Sequence, residues 1–200
     1  MGSPVINYVP VDPTPGMPAF NQSGTFATSA NVYPPAAFGQ EVRFRDNQTG
    51  SSNAGCAWAI LCQGSNVASA GQFVQIINNS AVLLTNGNSG SIFPVGIAGA
   101  PASATNVWCW VGVDGKFDNG AYTNVAFTIP GSAYLPKGTA GQLASSAASN
   151  EYLELRGVVL PNSFTSTDGS ATSLAGAYCA LTVELDRPFL LGRGATNAAW

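Results

Sequence analysis

The chain has 200 residues, 46% of them hydrophobic and only 8% charged, with a formal net charge of -3 and no histidine. Globular proteins carry about 25% charged residues, so Ser, Thr, Asn, Gln and Gly must do the covering here, as suits a surface that lies against other protein. The acidic balance and the scarcity of Lys and Arg exclude tight nucleic-acid binding. No apolar run approaches the ~18 residues of a membrane span.

Residues 1–38 read as an extended arm. Seven of the 13 prolines fall here: Pro4, Pro10, Pro13, Pro15, Pro18, Pro34 and Pro35. Proline fixes φ, removes a donor and pushes its predecessor to extended forms, so neither a helix nor a central strand is expected. The arm still carries Val5, Ile6, Tyr8, Val9, Phe20, Phe26 and Tyr33. A purely flexible linker has no use for them. They are therefore candidate partner-binding residues, and the arm is expected to clamp an adjacent subunit. The start, Met1-Gly2-Ser3-Pro4, shows no basic region followed by an apolar run, which is not the pattern of a secretory signal and fits synthesis in a cytoplasm.

From residue 39 the pattern changes to short strands between turn clusters. Val42-Arg43-Phe44-Arg45 alternates apolar and basic. Arg43 and Arg45 share a face. They either meet acidic groups of a partner or keep an edge strand soluble, the second reading being preferred. Cys56 to Gln63 is the next strand, with Trp58, Ile60 and Cys62 staggered against Ala57, Ala59 and Leu61. Strands follow at Gln72 to Ile77 and Ala81 to Thr85, joined by a tight Asn78-Asn79 turn, and another turn is expected at Asn86 to Gly90. Phe93 to Ala98 enters a core and Gly99 to Asn106 crosses over. Val107 to Val113 then runs to Asp114-Gly115, a strong hairpin signal. Trp108 and Trp110 share one face of that strand, Cys109 and Val111 the other. Both faces are apolar, so cover is expected on both sides, from the chain's own core and from a second layer or a partner chain. Further strands are expected at Val125 to Ile129, Ala133 to Leu135, Glu151 to Leu160 and Tyr178 to Asp186, and one weakly driven helix at Gly141 to Ser149.

This spacing, about ten residues per strand with 23 glycines, indicates one all-β domain over residues 39–190, a sandwich or barrel of short antiparallel strands. A faint duplication, 39–119 against 120–190, is suggested by Ala70-Gly71-Gln72-Phe73 recurring as Ala140-Gly141-Gln142-Leu143. Residues 191–200 form a small-residue tail ending in Trp200, a candidate anchor for a neighbour.

The chemical inventory is sparse. Without histidine there is no Ser-His-Asp or Cys-His arrangement and no usual zinc site. The four cysteines form no Cys-x-x-Cys pair and read as buried free thiols. Asp114 and Asp118 lie in a segment that lacks calcium-loop spacing and reads as a turn. Tryptophans 58, 108 and 110 sit in apolar runs and read as core. No catalytic residue, cofactor or metal is expected, and the chain is read as not an enzyme.

The order of features from Phe38 to Val113 resembles a family of tailed-phage head structural proteins. The matching residues are Phe38-Gly39-Gln40-Glu41-Val42, the Asp46 to Gly50 turn, Ala57-Trp58-Ala59-Ile60 and Gly71-Gln72-Phe73-Val74-Gln75-Ile76. They continue with Pro94-Val95-Gly96-Ile97-Ala98 and Val107-Trp108-Cys109-Trp110-Val111. A looser likeness follows at Gly157-Val158-Val159-Leu160 and Ala180 to Leu185. The resemblance implies a capsid decoration or cement protein on the outer surface of a virion. Its partners would be the major capsid protein and copies of itself, a trimer being the guess from capsid symmetry. The rival reading is a glycan-binding or adhesin-type β module of a head fibre or tail.

Overall fold

The computed structural model describes residues 8–11, 16–27, 32–46, 56–85, 93–121, 133–135, 140–141, 153–159 and 181–190. These form strands only, and no helix occurs among the described residues. The first five strands are β1 (Tyr8–Pro10), β2 (Ser23–Thr25), β3 (Glu41–Asp46), β4 (Cys56–Gln63) and β5 (Phe73–Ile77). Then come β6 (Ser80–Leu83), β7 (Val95–Ala98) and β8 (Val107–Ala121). Last are β9 (Ala133–Leu135), β10 (Leu153–Val159) and β11 (Leu181–Leu190). The expected strands at 125–129 and turn at 86–90, and nearly all of the expected helix, lie outside the described residues.

The strands pair in the order β1-β3-β4-β6-β5-β7-β8-β11-β10-β9, with β2 also on β8. A further pairing, β4 with β8, closes β4-β6-β5-β7-β8 into a ring of five strands. The chain is thus an all-β, barrel-like domain. Asn78 and Asn79 join β5 to β6, both in the left-handed region at φ 50 and 63. That conformation is what a two-residue primed turn demands, and Asn tolerates it.

β8 is the axle. β4 lies along one edge of it; β2, β7 and β11 share the other in succession. The expected hairpin at Asp114-Gly115 does not form, because β8 runs straight through it to Ala121. The register against β4 slips by one residue there, Trp58 facing Asp114 and Ala59 facing Gly112. Gly115 takes φ +99, and a Cβ on it would press on Cys56 and Ala57 of β4. The Asp-Gly pair therefore serves a β-bulge, the other common use of a left-handed glycine.

Two separate apolar clusters lie on the two faces of the sheet. Phe20, Phe44, Phe73, Trp108, Trp110, Phe117, Val183 and Leu185 belong to the first. The second holds Cys62, Val67, Val74, Ile76, Ala81, Ala98, Ala102, Cys109, Val111 and Val113, with no aromatic ring among its buried members. A five-stranded ring leaves a narrow lumen, and the small side chains of the second cluster match it. Val67 and Ala102, bridged to each other, stopper the end where β4 finishes and β8 begins. Over residues 107–113 both faces of β8 are thus covered by the chain itself; no partner chain is needed for that.

The described part of the arm folds back on its own domain. β1 pairs with β3, Tyr8 against Asp46 and Pro10 against Phe44. β3 is consequently flanked on both sides, and Arg43 and Arg45 do not guard a bare edge. Phe20, expected to face a partner, is fully buried between Phe44 and Phe117, with ring centroids at 5.9 and 5.3 Å. Phe26 packs half-buried against Phe38.

Candidate functional site

One face of the β3-β4-β8-β11 sheet stays open. Alternation along β3 sends Val42 and Phe44 to the first cluster and Glu41, Arg43 and Arg45 to the other side. On β11 the same alternation buries Val183 and Leu185 and exposes Glu184 and Asp186. The pairing registers align a row straight across the sheet: Arg43 opposite Trp58, Trp58 opposite Asp114, Asp114 opposite Asp186. In the neighbouring row Arg45 sits at one end, opposite Cys56, and Glu184 at the other, opposite Lys116. The face therefore carries charge of both signs, Glu41, Arg43 and Arg45 on β3, Asp114 and Lys116 on β8, and Glu184 and Asp186 on β11, with an exposed indole among them.

Trp58 is 38% exposed. Core placement, expected for Trp58, Trp108 and Trp110 alike, holds for the last two only. Cys56, on the same face, is exposed as well, whereas Cys62 and Cys109 are buried. The expectation of buried thiols thus fails for Cys56. The strand passes from the open sheet into the closed ring, and side chains on one face go from solvent to lumen within six residues.

Arg187 marks the boundary. Its φ is +42, a left-handed conformation that a residue other than glycine adopts at a cost of order 1 kcal/mol or more. Alternation alone would turn residue 187 toward the first cluster; the left-handed step puts it on the same side as Asp186. Its guanidinium then reaches back over β8 and β4. Nη2 donates to Oε1 of Glu41 at 2.6 Å, and Nε lies 3.9 Å from Oδ2 of Asp114. The Arg187 side chain is 59% exposed, so the ion pairs add little stability. What they fix is position.

Behind this strap lies a pocket of about 250 Å³, lined by Ile60, Val113, Val95, Phe93, Pro94, Pro188, Phe189 and Arg187. Phe93 and Phe189 are 38% and 44% exposed. The pocket is an apolar notch with one cationic group at its rim.

Comparison with protein-family models, with curated proteins and with solved structures finds no match to this chain.

Of the residues expected to bind partners, the structure brings Arg43 and Arg45 onto this open face. Val9 is half-buried on β1, and Tyr8 pairs in the same strand. Tyr33 is 63% exposed and belongs to no strand. Val5, Ile6 and Trp200 lie outside the described residues. Reading by sequence missed Trp58, Phe93, Arg187 and Phe189. Among the described residues no group of three or more His, Cys, Asp or Glu is placed to hold a metal ion.

Proposed function

We propose that this chain is a structural virion protein that binds the outer surface of a phage capsid and bridges capsomers. The observation carrying this reading is the apolar notch with its exposed Phe93 and Phe189, in a chain with only 8% charged residues. Exposed apolar patches rimmed by polar groups mark protein contact sites. An apolar side chain of a capsid subunit seated in the notch would act as the anchor, at roughly 25 cal/mol per Å² buried, repeated over many copies. The motif resemblance to tailed-phage head proteins supplies the partner, the major capsid protein. No catalytic role is proposed.

The test is co-sedimentation with expanded heads that lack the protein. The native chain is expected to pellet with heads, and Phe189→Asp to stay in the supernatant while keeping its melting temperature. A native chain that ignores heads ends this reading. The glycan-binding alternative rests on Trp58, an exposed ring flanked by Arg43 and Asp114. It predicts retention on a glycan array that Trp58→Ala abolishes.

A further inference from the structure

The notch lies at a fork where β8 changes neighbours. Along one edge of β8, β7 pairs with Val111 and Gly112, and β11 takes over from Asp114 onward. Val113 stands at the fork. The notch walls are the two segments that leave β8 there: Phe93-Pro94-Val95, which goes to β5, and Arg187-Pro188-Phe189, which goes to β10. Each wall has a proline at its middle, which brings no N–H in need of a ladder partner.

The β11 wall is bent by its backbone. Val158 faces Leu185 and Arg156 faces Phe189, so Gly157 alone stands against residues 186–188 of β11. Such an excess bends a strand and re-aims its side chains. Gly157 takes φ +74, and a Cβ on it would press on the Asp186 carbonyl and on Pro188. Arg187 makes the complementary left-handed step at φ +42. The register against β8 ends with Asp186 opposite Asp114. An extended residue 187 would carry it on to Val113 and run β11 toward the start of β7, over the space that the notch occupies. Arginine disfavours the left-handed step. Its contacts to Glu41 and Asp114 are exposed and weak, so they offset that cost and add little beyond it.

We infer that residue 187 is the positioning residue of the notch and acts through its backbone. The left-handed step holds Pro188 and Phe189 as the wall against which a partner's apolar side chain packs; the guanidinium only offsets the cost of the step. The inference rests on the notch being the attachment site.

The test compares full-length Arg187→Gly and Arg187→Val. Both delete the guanidinium. Glycine enters the left-handed region freely, and β-branched valine is among the residues least able to. Arg187→Gly is expected to co-sediment with heads as tightly as the native chain. Arg187→Val is expected to bind about tenfold more weakly, as when the pocket of an anchor is broken, with an unchanged circular dichroism spectrum. Glu41→Gln, which weakens the strap and leaves residue 187 in place, should bind as the native chain does. Loss of binding in Arg187→Gly or Glu41→Gln would make the charge, not the backbone, the cause and overturn the inference while the notch stands. Native binding by Arg187→Val overturns it too. A second readout needs no heads. The nuclear Overhauser contacts of the Phe189 ring in the native chain should persist in Arg187→Gly and disappear in Arg187→Val. If heads capture no chain at all, the capsid reading fails by itself. The ring contacts then decide, and their survival in Arg187→Val or loss in Arg187→Gly overturns the inference.

Discussion

At the scale of single residues, the thiols show how one strand serves two environments. Cys62 and Cys109 are directly opposed on β4 and β8 and buried. Burial pushes the Cys109 thiol up to about 12; Cys62 is raised by burial first and by the adjacent Cys109 second. Only the thiolate attacks alkylating reagents. Iodoacetamide at pH 8, followed by peptide mapping, should therefore label Cys56 and spare Cys62 and Cys109 until the fold is opened. Raised thiols also tie stability to pH. The unfolded chain loses these protons near 9.0 and the folded chain holds them to higher pH. Their contribution is full below pH 9 and is lost as pH rises toward 12. Melting temperature should fall across that window. Cys109→Ala should start lower, from the cavity it leaves, and decline less steeply. Equal slopes for the two chains would show that other groups govern alkaline unfolding.

At the scale of the element, the arm changes meaning. Side chains such as Val5, Ile6, Tyr8, Val9, Phe20, Phe26 and Tyr33 in a proline-rich stretch point to burial somewhere, and the structure puts the burial of Phe20 in the arm's own domain. Removing that ring should cost about 3–5 kcal/mol, as for other buried aromatics. Urea unfolding of Phe20→Ala measures it on the isolated chain. A loss under about 1 kcal/mol would mean that the arm rests on the domain without supporting it. Strand existence was legible because turn residues punctuate the sequence so densely: β4 matches its expected span, and the Asn78-Asn79 turn takes the conformation Asn allows. Two things were not legible, for physical reasons. Asp114-Gly115 satisfies a hairpin and a bulge equally well, and only the pairing of β8 with β4 and β11 decides between them. Trp58 and Trp110 both sit in two-sided apolar strands; which one faces solvent depends on cross-strand neighbours far away in sequence. The alternation of Arg43 and Arg45 with Phe44, and of Glu184 and Asp186 with Leu185, already held the clue to an open face. Joining the two required the register. Arg187 left no trace at all, since a left-handed step at arginine runs against its preference.

At the scale of the whole molecule, the ring decides which surfaces stay open. β5, β6 and β7 close over the side of β4 and β8 that carries Trp58, and Arg187 crosses from β11 to Glu41 beside the mouth of that ring. The apolar notch lies at this mouth, with Phe93 and Phe189 exposed on its walls. An anchor seated there works by burial of apolar surface, at roughly 25 cal/mol per Å². Raising ionic strength from about 0.05 to 0.5 M should therefore leave attachment to heads nearly unchanged, because exposed charge pairs are screened over that range while apolar contacts are not. Arg43→Glu/Arg45→Glu keeps every apolar notch residue and should bind heads about as tightly as the native chain, whereas Phe189→Asp should not. If salt releases the native chain, or the arginine variant fails to bind, charge on β3 and not the notch carries attachment.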